Sequence, residues 1–189
     1  MSAAGGALVG IMIARNSVLL KEGLAKAGET WGTLRSRGLE LTTQQGRPVL
    51  KGELDGVSVE AFVASDAVHY AHTKVIAKAL GRSAPVEIGV HPSPGGILGK
   101  VRSWLGQDIE IGDEAFDQTF LITGKPVSAP KAFLSDGIRE RLTALATGRL
   151  AGFTYDEGTA VVTLHGVVSD ADEVGLAIDV AAEAARWTV

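Results

Sequence analysis

The sequence contains no cysteine. That absence removes disulfides, thiolate metal sites, cysteine nucleophiles and thiol redox chemistry together. Aromatic residues make up only 5% of the chain, so a core has to be built mostly from Val, Leu, Ile and Ala. Positive charge is not in excess: the formal net charge is −4. No basic stripe interleaved with aromatics appears either, so the usual footprint of a nucleic-acid binder is missing. Long hydrophobic runs are scarce. The most apolar stretch, Gly5 to Ala14, has ten small or apolar residues, and a membrane-spanning helix needs about 20. A secretory signal carries its basic residues before the apolar stretch, whereas here Arg15 follows it. There is no G-x-S-x-G nucleophile elbow, and Ser65, Ser93, Ser128 and Ser169 stand in turn or cap contexts.

What is present is the composition of a folded protein. The 189 residues are 46% hydrophobic and 21% charged, ordinary for a globular chain and unlike a disordered one. A domain of this size buries roughly 70% of the surface of its unfolded chain, enough for a core without metals or disulfides. Charge is unevenly spread. Arg15, Lys21, Lys26, Arg35 and Arg37 face only Glu22 and Glu29 within residues 1–38, so the rest of the chain holds the whole acidic excess. A basic arm on an acidic body either touches an anionic membrane surface or folds back onto that body. The second is the simpler reading. The expected organisation is an apolar N-terminal segment with an amphipathic helix over 1–38 and one α+β domain over 39–189.

The pattern of apolar residues sets the elements. Leu20, Leu24, Ala27, Trp31 and Leu34 are spaced for one helical stripe. Asn16 or Ser17 can cap its start and Gly38 can end it. From Leu39 the period changes to two. Val49–Leu54 and Val57–Val63 flank Asp55-Gly56, a type I′ hairpin signal. Val68–Ala79 fits a strand better than a helix, because Val, Tyr, Thr and Ile dominate it. Short strands follow at Val86–Val90, Ile109–Ile111 and Phe120–Thr123. The loop His91–Gly96 leads to a short helix with Ile97, Leu98, Val101 and Leu105 inward. Asp136 can cap a helix carrying Ile138, Leu142 and Leu145, ended by Gly148. A second hairpin spans Gly152–His165 with its turn at Asp156-Glu157-Gly158. Ser169-x-x-Asp172 resembles a capping box before a final helix with Val174, Ile178, Ala181 and Ala185 in its buried stripe.

Candidate chemistry is thin. Gly95–Val101 reads GGILGKV, but a phosphate loop needs Gly at 94 and Ser or Thr at 101, where Pro and Val stand. What remains is a turn into a helix, with modest anion binding by Lys100 and Arg102 as the alternative. His69 and His72 would point to opposite faces of a strand, and His91 and His165 are far away in sequence, so no metal site is expected. Asp108, Glu110, Asp113, Glu114 and Asp117 crowd one stretch without the register of a calcium loop. A solvated acidic loop anchored by Phe116 and Phe120 is the expectation, with Asp113 able to cap the following turn. Its alternative is a ligand or catalytic site that combines Asp113, Glu114 or Asp117 with a histidine.

Three strings carry a resemblance: Trp31-x-x-Leu34 with Gly38-Leu39, Gly52-x-x-Asp55-Gly56, and Ile111-Gly112-Asp113-x-x-Phe116-Asp117-x-x-Phe120. With the helix holding Arg139, Arg141 and Leu142, they cover about residues 31–146. This pattern resembles an uncharacterised bacterial domain family of myxobacterial and proteobacterial hypothetical proteins. The resemblance implies no activity, cofactor or catalytic residue. It implies membrane association through an N-terminal hydrophobic segment, from which this chain departs by having only ten such residues.

The fold expected is therefore α+β: an antiparallel sheet of hairpins with the C-terminal helix packed on it and an N-terminal amphipathic helix. A pleckstrin-homology-like half-open barrel is the alternative. The function expected is a non-catalytic interaction or scaffold module, self-associating through Leu20, Leu24, Ala27, Trp31 and Leu34. Two alternatives stand beside it: a small-ligand binder or enzyme using the acidic loop 108–117, and a peripheral membrane protein. Partners would be a protein or a second copy, with no nucleic acid and no cofactor. Localisation would be cytoplasmic, with a membrane surface reachable through residues 5–37.

Overall fold

A computed structural model describes residues 18–65, 71–79, 81, 85–93 and 108–187. The apolar run Gly5–Ala14, the caps Asn16 and Ser17, Val68–Tyr70 with His69, and the Gly95–Val101 loop with its helix lie outside the described residues.

Residues 18–30 are helical (α1) and run directly into a 3₁₀ turn at Trp31–Arg37. Gly38 closes it in the left-handed region at φ 82°, the conformation glycine adopts without a Cβ penalty. Four strands follow as a meander: β1 (Leu39–Gln44), β2 (Arg47–Leu54), β3 (Val57–Ser65) and β4 (Ala71–Ala79). Then come β5 (Glu87–Pro92), the short helix α2 (Glu114–Thr119), β6 (Phe120–Lys125), the short helix α3 (Ala129–Phe133) and α4 (Asp136–Ala146). The hairpin β7 (Leu150–Asp156) and β8 (Thr159–His165) leads into α5 (Ala171–Ala185).

All eight strands form one antiparallel sheet in the order β1-β2-β3-β4-β8-β7-β5-β6. The sheet is not closed, so the fold is α+β and the half-open barrel is not formed. Three hairpins turn on pairs with positive φ at both central residues: Gln45-Gly46, Asp55-Gly56 and Glu157-Gly158. Such turns match the right-handed twist of the strands they join. The first replaces the break expected at Gly46-Arg47-Pro48, because β2 already begins at Arg47 and pairs Gln44 with Arg47.

Alternation along the strands decides which face is covered. Val57, Val59, Ala61 and Val63 of β3, Val75 and Ala77 of β4, and Ala160, Val162 and Leu164 of β8 are buried. They meet α5, whose Val174, Ile178, Ala181 and Ala185 are also buried. Fully burying a Val or Leu side chain contributes about 1.5–3 kcal/mol. The many alanines of α5 let the helix sit close to the sheet. The helix is buried on its flanks too, since α4 and the 3₁₀ turn pack beside it. The aromatic ring of Phe133 lies 4.7 Å from Tyr155 and 5.3 Å from Trp187, closing one end of this core.

Several local expectations shift. Ile109 and Ile111 form no strand; their segment follows the edge of β6 through one backbone bond, Ile109 N–H to the Ile122 carbonyl at 2.9 Å. Asp170, not Ser169, caps α5, accepting from the Asp172 and Glu173 amides. The Ser169 carbonyl instead accepts from the Thr30 hydroxyl, so tertiary docking takes the residue that the local pattern assigned to the cap. Ser135, not Asp136, caps α4 by accepting from the Ile138 amide, and α4 ends at Ala146, before Gly148.

Candidate functional site

The acidic loop is a folded turn. Gly112 has φ 90°, and the chain bends there. Asp117 accepts from the amides of Ile111 at 3.1 Å and Gly112 at 3.0 Å. Asp113 caps α2 by accepting from the Phe116 amide at 3.2 Å, and its other oxygen lies 3.1 Å from Arg139 Nε. Glu114 accepts from the Gln118 side chain. Phe116 and Phe120 stack at 4.4 Å and are both buried. The Gly-Asp-x-x-Phe-Asp-x-x-Phe string thus encodes one unit: a left-handed glycine, a helix cap, a carboxylate that closes the loop and two rings that anchor it. Beside Asp113 is a hollow of about 440 Å³ walled by Phe116, Thr119, Asp136, Arg139, Glu140 and Thr143. No histidine lines it among the described residues.

The N-terminal stripe is placed against the chain's own body. Ala27, Trp31 and Leu34 are buried, and Leu20 and Leu24 are half-buried. Trp31 Nε1 donates to the Val168 carbonyl at 3.0 Å. Arg37 reaches Asp179 of α5 and donates to the Gly175 carbonyl at 3.2 Å. Outside the stripe, Val18 and Leu19 at the start of α1 are 52% and 57% exposed.

The other face of the sheet is not covered by any helix among the described residues. Strand register fixes its side chains. Its middle holds Ile76 of β4 between Val161 of β8 and Glu60 of β3, with Phe62 of β3 diagonal to Ile76 and opposite Lys74; Phe62, Ile76 and Val161 are half-buried. Lys74 and Lys78 flank Ile76 on the same face. Toward β6 lies an open groove of about 880 Å³. Gly89, Thr123 and Thr154 line it along the strands, and Asp108 and Glu110 also line it. Lys125 pairs with Glu87 at 2.9 Å at its rim, and the hydrogen bond and charge of that carboxylate raise the lysine pKa. His91 lies over Gly152: an ideal Cβ at residue 152 would stand 2.5 Å from His91 Nδ1. The structure therefore brings the front of the acidic loop, Asp108 and Glu110, together with a histidine in one groove. Asp113 and Asp117 belong to the turn described above.

One association was invisible in the sequence. His72 of β4 and His165 of β8 face each other with ring centroids 5.9 Å apart. They are separated by 93 positions, and only the β4–β8 pairing, Thr73 opposite Leu164, makes them neighbours. Asp and Glu clusters announce themselves by proximity along the chain; this pair had no such signal. No group of three or more His, Asp or Glu side chains among the described residues could hold a metal ion. Among the same residues, no helix is long and apolar enough to cross a membrane.

No protein-family model matches the chain, and no curated protein matches it. The fold is similar to the crystal structure of the mycobacterial trehalose monomycolate transport factor A, with a TM-score of 0.54 at 10% identity. The similarity covers 86% of this chain and 93% of that one.

Proposed function

We propose that this chain is a non-catalytic binding module that receives its partner on the uncovered face of the sheet. The observation that carries the reading is the one-sidedness of the fold. The α-helices of the described residues serve one face, while on the other Ile76 stands opposite Val161, with Phe62 diagonal to it and Glu60 on its β3 side. Apolar side chains bordered by lysines are the make-up of an interaction surface. The carboxylates of the acidic loop support it from the other direction, because Asp113 and Asp117 hold backbone amides and shape a turn. The likeness to a transport factor fits a protein that serves transport by holding a partner or cargo.

A photo-crosslinking side chain at Ile76, compared with one at the exposed Ala144 on the helical side, tests this in cells. The expected result is a discrete adduct from position 76 that Val161→Glu abolishes, and none from position 144. Equal adducts from both positions, or none from either, would overturn it.

A second reading rests on Val18 and Leu19. Two exposed apolar residues at the start of α1, following Gly5–Ala14 and Arg15 in sequence, suit contact with an anionic membrane surface. Sedimentation with anionic and neutral vesicles tests it: Val18→Ser with Leu19→Ser should release the protein into the supernatant. Light scattering on the same samples separates this from self-association through the same residues, which would show as a dimer mass without vesicles.

A further inference from the structure

One end of the open face gathers imidazole and cationic side chains. At the end where β4 begins and β8 finishes, register places His72 and Lys74 of β4 beside Thr163 and His165 of β8. Arg149 comes next, its carbonyl accepting from the His165 amide at 2.7 Å. His91 lies beyond, over Gly152. No carboxylate of the described residues falls on these positions of β3, β4, β7 and β8, while Asp108 and Glu110 share the groove that His91 lines. At the opposite end of the same face stand Glu87 and Asp156, cross-strand neighbours, together with Lys78 and with Lys125, which pairs with Glu87. Among the described residues no ion pair involves His72, Lys74 or His165, since Glu60, diagonal to Lys74, pairs with Lys51, and Arg149 donates to the Val167 carbonyl at 3.3 Å.

We propose that this end of the face binds a phosphate group between His72 and His165, with Lys74 and Arg149 supplying fixed positive charge. It rests on the reading that the open face is the binding face, and it names what that face recognises. Two facing imidazoles could in principle hold a metal ion. The charges around them among the described residues decide against it: a lysine and an arginine repel a cation and attract an anion. A phosphate monoester carries about two negative charges at neutral pH and three acceptor oxygens, which suits imidazole, ammonium and guanidinium donors. The His72 Nδ1 atom is buried without a hydrogen-bond partner, and a buried polar atom left unpaired is costly.

The test uses the full chain with inorganic phosphate and glycerol phosphate, followed by two-dimensional NMR of backbone and imidazole resonances. The expected result is saturable shifts at His72, Lys74, Thr163 and His165, absent at Lys51 and Lys125. His72→Gln with His165→Gln should weaken the binding roughly tenfold or more, and Lys125→Gln should not. Vesicles of phosphatidic acid against phosphatidylcholine tell the source: binding to the first with the same variant dependence places the phosphate on a lipid, and binding of the soluble esters alone places it on a soluble ligand. No saturation, equal shifts at Lys51 and Lys125, indifference to the double variant, or zinc moving both histidines while phosphate does not would each overturn the proposal. A phosphate failure beside a position-76 adduct that Val161→Glu abolishes would sink this inference and leave the binding face standing.

Discussion

The indole N–H of Trp31 donates to the carbonyl of Val168, a residue 137 positions later. That bond joins the 3₁₀ turn that follows α1 to the segment that enters the last helix. Around it Trp31 is completely buried, and Thr30 reaches the Ser169 carbonyl one residue further on. The amphipathic N-terminal helix is therefore docked by a bond and by burial together.

Trp31→Ala should destabilise the protein by about 3–5 kcal/mol through lost burial and a residual cavity. Trp31→Phe keeps most of the volume and leaves the Val168 carbonyl without its donor, for about 1–3 kcal/mol. Urea denaturation followed by circular dichroism ranks the two. If Trp31→Ala costs no more than Trp31→Phe, α1 is not docked as described.

The acidic loop yields a contrast between neighbouring carboxylates. Asp117→Ala removes the acceptor for both the Ile111 and Gly112 amides and should cost about 1–3 kcal/mol. Asp113→Ala removes a helix cap, worth about 1 kcal/mol, together with its Arg139 partner. Glu114→Gln, whose side chain is paired only with Gln118, should change the melting temperature little. A calorimetric ranking with Glu114→Gln as the most harmful would refute the structural role of the motif.

Two glycines of the β5–β6–β7 region should behave differently. A Cβ at Gly124 would meet Pro130 Cγ at 2.5 Å and the Glu87 carbonyl oxygen at 3.2 Å. Both belong to backbone or a ring held in a helix, so Gly124→Ala should cost about 1–3 kcal/mol by overpacking. A Cβ at Gly152 would meet the ring of His91, an exposed side chain that can swing away. Gly152→Ala should leave stability nearly unchanged and shift the His91 imidazole resonances. Equal losses in thermal unfolding for both variants would contradict this.

Tyr155 predicts a loss of stability in alkali. Burial pushes its phenol up from the ordinary 10.0, the nearby charge of Asp156 adds to this, and the Gly158 backbone opposes it. The folded protein holds the proton more tightly than the unfolded chain does. The resulting contribution is fully present below about pH 10 and is lost as pH rises through the higher folded value. Tyr155→Phe should flatten the alkaline limb of the stability curve. Identical limbs for the two proteins would show that the phenol plays no part.

The local grammar of the chain was readable. Hairpins at Asp55-Gly56 and Glu157-Gly158 were marked by residues that tolerate positive φ, and the burial of Val57, Val59, Ala61 and Val63 follows from simple alternation. The stripes on α1, α4 and α5 were visible for the same reason. The caps fall at Ser135 and Asp170, one residue from Asp136 and Ser169, since several cap-forming residues stand together and tertiary contacts choose among them. The Ile109–Ile111 strand was not there, because two alternating isoleucines fit a segment pinned by Phe116 and Asp117 equally well.

Sequence alone settled the kind of structure: alternating strands bent at positive-φ turns and apolar stripes with nothing but a sheet to cover. Those are short-range facts, set by backbone sterics and side-chain period. Strand order belongs to the folded molecule. Insertion of β8 and β7 between β4 and β5 rests on matching buried faces across long loops, which no local pattern records. That insertion set His72 beside His165 and laid His91 over Gly152, and among the described residues it left one face of the sheet without a helix.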